Sequence, residues 1–377
     1  MGGIIVKDYM GIINLSERED NIKELTYNRP IAGIPMAGRY RVIDFALSNM
    51  VNSGVQNVSI FTQNKYRSLI DHLGTGKAWD LDRKIDGLFV FNPVFNYYTL
   101  GIYRGDIENF KNHIDYIHLS RQKNVIVTPS YMICNVDYSE AVAFHNETEA
   151  DITIVYKRAD NCVEEFEHCN TLVIDDQNRV KGVDINFCKR DENNISMEMF
   201  IMKKSLMLDM VHTCVSRGDC DYLKDAVHKN IDKLKICAYE YKGFLACINS
   251  IQSYYKANMQ LINQEYSKEL FFKHGLIYTK VKDEPPARYT ENARICNSLV
   301  ANGAIIDGTV ENSIIFRGVR INKGAVVKNS ILMQNCVIEE DTLLRNVILD
   351  KNVRITSGKQ LKGDEKYPVV IEKKAII

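Results

Sequence analysis

The sequence has 377 residues, of which 45% are hydrophobic, so it can bury a full core and is long enough for two domains. Its 48 basic and 48 acidic side chains balance, which excludes a bulk electrostatic attraction to nucleic acid or to an anionic membrane. No apolar run approaches the length of a membrane span, and the first residues lack the basic and apolar parts of a signal peptide. We therefore expect a cytoplasmic protein with no nucleic-acid or membrane partner.

The ten cysteines include no Cys-x-x-Cys pair and no set with the spacing of metal ligands. In a cytoplasmic protein, isolated cysteines are most often small buried hydrophobic residues. We therefore expect reduced, mostly buried thiols.

Short apolar runs alternate with amphipathic stretches over the first two-thirds of the chain, as in a parallel sheet covered by helices. The runs predict strands at 10–15, 57–62, 124–128 and 151–156. Between the second and third strands, apolar residues recur at steps of three and four from Ile107 to Ile117, which predicts a helix with Asp106 as its N-cap. A later helix is predicted at about 250–263.

Beyond two successive prolines, Pro285 and Pro286, the sequence repeats itself. Four similar short motifs follow each other at intervals of 15, 17 and 17 residues, beginning at Asn297, Asn312, Asn329 and Asn346. Within each interval, pairs of Ile and Val alternate with turn residues, which is typical of stacked parallel β-coils. The repeat favours a left-handed parallel β-helix over the alternative of an ordinary β-sandwich.

Several motifs in a fixed order resemble bacterial glucose-1-phosphate adenylyltransferase (ADP-glucose pyrophosphorylase). Residues 37–54, AGRYRVIDFALSNMVNSG, are close to that family's GGKxRxIDFxLSNxxNSG, and 254–258 and 285–288 resemble two later elements. The resemblance implies an α/β fold: a Rossmann-like, GT-A-like nucleotidyltransferase domain with a mixed sheet, then the β-helix. It places a degenerate nucleotidyltransferase domain at 1–265, a linker at 266–290 and the β-helix domain at 291–377.

The sequence departs from this family where the family transfers AMP from ATP to glucose-1-phosphate. The phosphate loop is matched by residues 15–22, which contain three carboxylates and no glycine, and Asn21 takes the place of the catalytic arginine. Ser130 and Cys247 are the best matches to the two magnesium-binding aspartates, and Glu198 replaces a glycine near the sugar phosphate. Because Mg²⁺ prefers charged oxygen ligands, the resemblance implies no metal site, no cofactor and no catalysis by this chain alone.

The same family includes a divergent subunit that assembles with the catalytic subunit and alters its activity, and this sequence is similar to that subunit. The resemblance implies a regulatory partner of the catalytic, magnesium-dependent subunit in glycogen synthesis, in a hetero- or homo-tetramer. Arg39 and Arg41 match a basic position at which the family binds phosphate-ester effectors, although these arginines could instead hold a domain interface or face solvent.

Two other functions stay open at this point. One is an active sugar-phosphate nucleotidyltransferase that uses metal ligands other than the expected ones. The other is a self-contained homo-oligomer that senses a phosphate ester without a catalytic partner.

Overall fold

The computed structural model describes residues 6–63, 65–94, 105–159, 166–185 and 193–377. The chain forms two compact units, and each is assembled from stretches that are separate in sequence. The first unit contains Met1–Glu17, Ile43–Ala246 and Phe271–Tyr278; the second contains Arg18–Val42, Cys247–Leu270 and Thr279–Ile377. The predicted boundaries at 265 and 290 follow the chain in order, whereas these units interleave, because two segments from the N-terminal part pack with the β-helix.

The helices of the described residues are α1 Lys23–Thr26, α2 Val42–Asn52, α3 Arg67–Leu73, α4 Asp106–Asn112, α5 Ile114–Leu119, α6 Tyr138–Glu147, α7 Lys204–Arg217, α8 Leu223–Lys229, α9 Ile251–Gln260 and α10 Gln264–Phe272. The helix predicted at about 250–263 is α9, and α10 extends into the stretch predicted as a linker. Along the part of the chain that the structure describes, no helix has the length and apolar character needed to cross a membrane.

The first unit is built on a nine-stranded mixed sheet, as predicted. Its strands are β1 Tyr9–Asn14, β4 Asn57–Phe61, β5 Gly87–Phe91, β6 Asn124–Pro129, β8 Ile152–Ala159, β9 Thr171–Ile174, β10 Val180–Asp184, β11 Asn193–Lys203 and β12 Ile236–Glu240. The short strands between them in the chain are β2 Pro35–Met36, β3 Tyr40–Arg41, β7 Met132–Ile133 and, after β12, β13 Ala246–Cys247.

The order of the sheet is β10-β9-β11-β6-β1-β4-β5, and β8 pairs with both β11 and β12. Strand β1 is parallel to both of its neighbours, β4 and β6, whereas β11 is antiparallel to β6 and to β8. Every residue of β1 and β4 is buried, which explains their continuous apolar character in the sequence. All four strands predicted from apolar runs are present, and none of their ends differs from the prediction by more than three residues.

The helix predicted over Ile107 to Ile117 is broken in two. Ile107, Phe110 and Ile117 do lie in the core of this unit, as the spacing indicated. However, His113 separates α4 from α5 with φ −117°, and its ring Nε2 lies 2.9 Å from the carbonyl oxygen of Asn92. The prediction of Asp106 as the N-cap is wrong: Gly105 holds that position, and the Asp106 carboxylate bonds outside its own helix.

The β-helix of the second unit has three parallel five-stranded sheets, one along each face. Its strands are β14 Arg288–Tyr289, β15 Arg294–Cys296, β16 Leu299–Val300, β17 Ile305–Ile306, β18 Thr309–Glu311, β19 Ile314–Ile315, β20 Arg320–Ile321, β21 Val326–Lys328, β22 Ile331–Leu332, β23 Val337–Ile338, β24 Leu343–Arg345, β25 Val347–Leu349, β26 Arg354–Ile355, β27 Gln360–Lys362 and β28 Val369–Ile371. Small and branched apolar side chains fill the space inside the coils.

The repeated asparagines turn one corner in four successive coils, and a serine follows the first three of them. The four repeat asparagines have left-handed backbones, with φ between 44° and 51°, a conformation that asparagine tolerates better than most residues. The serine hydroxyls then link successive coils: the hydroxyl of Ser298 accepts from the N–H of Ser313, and that of Ser313 accepts from the N–H of Ser330, each at 3.1 Å. The periodicity that predicted the β-helix is therefore a repeat of corner geometry and of coil-to-coil hydrogen bonds.

Candidate functional site

The candidate site lies at the carboxyl edge of the sheet in the first unit. Strands β1 and β6 are adjacent and parallel, and Asn14 is in register with Pro129 at their ends. The segments that follow these strands, ending at Glu17 and beginning at Ser130, therefore meet at one edge. In open α/β sheets this edge is where ligands bind.

The carboxylate of Glu17 is bonded to Ser130, the residue matched to the first magnesium-binding aspartate. One oxygen of Glu17, Oε1, accepts from the N–H of Ser130 at 2.9 Å and from its hydroxyl at 2.5 Å. The side chain of Gln63 donates to the backbone oxygen of Glu17 at 3.3 Å and helps to position the loop. A carboxylate of the chain itself thus accepts from both hydrogen-bond donors of the residue that the resemblance matched to a metal ligand.

A second carboxylate at this edge, Asp106, is fully enclosed. Its two oxygens accept from the side-chain amide of Asn14 at 2.5 Å and from the N–H of Leu223 at 2.7 Å. Burial raises the pKa of Asp106 to about 7, although its hydrogen bonds and the nearby Lys224 act in the opposite direction. At neutral pH a large share of the Asp106 carboxyl groups are therefore protonated and carry no charge.

The groups at this edge do not fit the magnesium site of the family. Ser130 offers a buried neutral hydroxyl, and the nearby carboxylates, Glu17 and Asp106, are hydrogen-bonded to protein groups. Over the ranges that the structure describes, three His, Cys, Asp or Glu ligands come together at only one place, Cys214, Asp219 and Cys220, which is outside this site. A hard cation requires several charged oxygen ligands, and this edge does not present them.

Glu198, which the resemblance matched to a glycine near the family's sugar phosphate, forms an ion pair. The side chain of Lys224 donates to Glu198 at 2.9 Å. Burial is the largest single effect on the pKa of Lys224 and lowers it, but Glu198, Asp225 and Asp106 together raise this pKa above its ordinary value. Glu198 has φ 53°, in the left-handed region that favours glycine, which agrees with its alignment to a glycine of the family. A glutamate at this position neutralises the cation that lies beside it.

Asn21 and Cys247 belong to the second unit, where they lie near the start of α9. The backbone oxygen of Asn21 accepts from the N–H of Ile251 at 3.1 Å, while its side chain is exposed and neutral. Ser250 caps α9 through a reciprocal hydrogen-bonded pair with Ser253. Cys247 is 1% exposed, so a buried thiol stands where the family has its second metal ligand. The role of these positions in the family stays a prediction for this chain.

Arg39 and Arg41, the predicted effector residues, flank Tyr40 in the second unit. Arg39 is exposed, and its guanidinium carbon lies 5.4 Å from the centroid of the Tyr40 ring. Arg41 is half-buried in β3 and acts electrostatically on Lys351 of the β-helix. Burial, followed by repulsion from Arg41, Arg29 and Lys373, lowers the pKa of Lys351 to about 7.

Sequence reasoning did not predict that Arg41 acts on Lys351. No local pattern links a lysine in the β-helix to an arginine near residue 40. Arg29 is 4% exposed and forms an ion pair with Asp350 at 2.5 Å, while its Nε donates to the carbonyl of Leu25. The charge of Arg29 is therefore used within the second unit.

The geometry defines a class: a nucleotidyltransferase fold followed by a β-helix. The nucleotidyl transferase family matches residues 21–166, and the GlmU-like C-terminal hexapeptide family matches residues 285–367. The glycogen biosynthesis protein GlgD of Bacillus subtilis (strain 168) is 38% identical over 97% of this chain and 95% of its own length. The chain belongs to the GlgD family.

Two further relatives come from one species, Geobacillus stearothermophilus. Its glycogen biosynthesis protein GlgD is 38% identical over 84% of this chain and 82% of its own length. Its glucose-1-phosphate adenylyltransferase is 31% identical over 81% of this chain and 80% of its own length. This chain is thus similar to both proteins and shares the higher identity with GlgD.

Proposed function

We propose that this chain is a non-catalytic regulatory subunit that assembles with a glucose-1-phosphate adenylyltransferase and modulates ADP-glucose synthesis for glycogen. The observation that carries the proposal is the contact between Glu17 and Ser130. A negative charge and a neutral hydroxyl at this edge would disfavour the phosphate groups and the metal that the reaction needs, which supports the proposal. Removing one charge-stabilising group commonly lowers kcat about 10²- to 10³-fold, and several are replaced here.

The relatives support the assembly with a catalytic partner. One species has both a protein named GlgD and a protein named glucose-1-phosphate adenylyltransferase, and this chain is similar to each over four-fifths of its length. We propose a cytoplasmic hetero-tetramer in which the partner alone supplies the magnesium site. The isolated chain then corresponds to the homo-tetrameric or dissociated form.

The test is ADP-glucose formation from ATP and glucose-1-phosphate with Mg²⁺. It compares this chain alone, the adenylyltransferase of the same organism alone, and the two co-expressed and co-purified. No turnover by this chain, together with a changed rate or substrate affinity in the complex, supports the proposal. Turnover by this chain alone overturns it, and so does a mixture that behaves as the sum of its components and does not co-purify.

We also propose that Arg39, Arg41 and Lys351 bind a phosphate-ester effector. Two guanidinium groups can bind phosphate oxygens in bidentate fashion, and a bound dianion would restore the charge of Lys351, whose pKa is lowered. The test is calorimetric titration with a sugar bisphosphate and with inorganic phosphate. Arg41→Gln and Lys351→Met should weaken binding, while Lys362→Met, which changes an exposed lysine of β27, should not.

The contact between Glu17 and Ser130 also makes the alternative of an active enzyme testable. In that case Glu17 would supply the carboxylate that Ser130 lacks, and Glu17→Gln would abolish a metal-dependent sugar-nucleotide product made by this chain alone. The other alternative, a self-contained sensor, requires effector binding by a homo-oligomer that does not co-purify with the adenylyltransferase. Both outcomes are distinguishable from the regulatory-subunit proposal in the same assays.

A further inference from the structure

The turn between α7 and α8 brings together four reactive side chains outside the candidate site. Cys214 lies in the last turn of α7, Asp219 and Cys220 follow it, and Lys229 ends α8. The sulfur atoms of Cys214 and Cys220 and a carboxylate oxygen of Asp219 all lie within 4.8 Å of one another. This cluster is part of the first unit, and the proposed function does not use it.

The backbone of the turn explains why the two thiols meet. Gly218 has φ 64°, in the left-handed region, and its N–H donates to the carbonyl of Cys214 at 2.8 Å, which ends α7 and reverses the chain. Cys220 is thereby brought back against Cys214, and the two sulfur atoms lie within 4.8 Å of each other. Cys214 is 5% exposed, while Cys220 is half-buried and accessible from solvent.

The ammonium group of Lys229 lies beside the more accessible thiol. The interaction with Cys220 is the main reason why the pKa of Lys229 is raised, and Asp219 acts in the same direction. The same ammonium group lies 3.5 Å from the Asp219 carboxylate and donates to the backbone oxygen of Asp219. Reactive cysteines are commonly accessible and lie near such cations.

The two thiols therefore differ in the way that a pair of attacking and resolving cysteines requires. Cys220 is accessible and lies next to a cation. Cys214 is buried, and burial raises the pKa of its thiol to about 12. The thiol therefore stays protonated until it reacts with Cys220. The cluster could also attract a soft metal ion, but Lys229 already places a positive charge between Cys220 and Asp219, which disfavours a second cation there.

We propose that Cys214 and Cys220 are an oxidisable pair that forms an intramolecular disulfide on reaction with a hydroperoxide. The Cys220 thiolate attacks the peroxide oxygen, forms a sulfenic acid and releases an alcohol or water after protonation. The sulfur of Cys214 then attacks the sulfur of Cys220, forming the S–S bond, and the sulfenic oxygen leaves as water with the Cys214 proton. In total one hydroperoxide is reduced and two thiols are oxidised.

The test exploits a trypsin site that separates the two cysteines. Cleavage after Lys204, Arg217 and Lys224 puts Cys214 in the peptide 205–217 and Cys220 in the peptide 218–224. The folded, full-length protein is reduced, treated with stoichiometric hydrogen peroxide in a chelator-containing buffer, alkylated and digested. We expect the two peptides to be joined by a disulfide, with a mass two hydrogens below their sum, and to separate on reduction.

Variants separate the steps. Cys220→Ser should abolish the linked species and leave Cys214 as a thiol, and Cys214→Ser should allow a dimedone adduct to form on Cys220. Lys229→Met should slow the oxidation of Cys220 about tenfold. Lys233→Met, which changes an exposed lysine just beyond α8, should not slow it. Cys296, an exposed thiol of the β-helix, serves as the internal comparison within each sample.

Three results would overturn the proposal. The first is the absence of the linked peptides from the folded protein, and the second is their appearance only after denaturation. The third is oxidation of Cys220 and Cys296 at equal rates, with no effect of Lys229→Met. Because every arm measures covalent chemistry on this chain alone, the outcome does not depend on the proposed regulatory function.

Discussion

Asp350→Asn provides a direct test of how the second unit is held together. The Arg29–Asp350 ion pair is 2.5 Å long, and both side chains are 5% exposed. Asparagine keeps the shape and the oxygen that accepts from the N–H of Lys351 at 2.6 Å, but it removes the negative charge. Arg29 is then left buried without a counter-charge, which commonly costs about 3–5 kcal/mol of the free energy of unfolding.

The neighbours of this ion pair add to the expected loss. Asp350 is the group that raises the pKa of Lys351 against the effects of burial and of Arg41 and Arg29. Without Asp350, the repulsion of Lys351 by Arg41 and Arg29 loses the carboxylate that opposes it. We therefore expect the pKa of Lys351 to fall further, and inorganic phosphate to stabilise Asp350→Asn more than it stabilises the wild type.

The assay is hydrogen exchange followed by mass spectrometry, because it reports the amides of the second unit separately in a chain that need not unfold in one step. Asp20→Asn is the matched control: it breaks the Lys23–Asp20 pair of the same unit, in which both side chains are 72% exposed. That control should show no measurable loss, since exposed ion pairs contribute little. If Asp350→Asn protects the coil amides as well as the wild type does, the buried pair does not stabilise this unit.

Three other predictions concern charge. The folded protein holds a proton on Asp106 up to about pH 7, whereas the unfolded chain releases it near pH 4. Asp106 should therefore lower the free energy of unfolding by about 1.4 kcal/mol per pH unit across that interval. In urea titrations at a series of pH values, Asp106→Asn should remove this slope. Glu17→Gln keeps an acceptor for Ser130 but removes a negative charge, so ATP should bind about tenfold more tightly by calorimetry; unchanged affinity would refute electrostatic exclusion. Sulfate, which does not titrate near neutrality, should bind more weakly as pH rises through 7, and Lys351→Met should abolish that dependence.

The parts of the fold that were predicted from sequence are those with local causes. The strands were visible because each is buried along its length, and the β-helix because corner asparagines recur with a fixed spacing. The break at His113 has no such cause: the ring reaches a carbonyl oxygen 21 residues away, and this tertiary contact overrides a continuous helical pattern. The interleaving of the two units is likewise invisible locally, because it depends on which segments pack together.

For the candidate site, the sequence predicted which family residues are replaced, but it did not predict how the side chains are arranged. Sequence alignment placed Ser130 opposite a metal ligand and placed carboxylates in the phosphate loop. It could not show that Glu17 is the carboxylate that bonds to Ser130, since this depends on the register of β1 against β6. Asp106 was similarly recognised as a helix-start residue, whereas its bonds to Asn14 and Leu223 come from distant parts of the chain.

The contact between Glu17 and Ser130 also bears on whether single mutations could introduce a metal ligand at this edge of the sheet. Changing Ser130 to aspartate alone would set two carboxylates against each other at hydrogen-bond distance, so the first step towards a metal site would be destabilising. Removing Glu17 first would leave two buried donors of Ser130 without their acceptor. Because either order passes through a less stable intermediate, a carboxylate at position 130 is not reached by a single stabilising mutation.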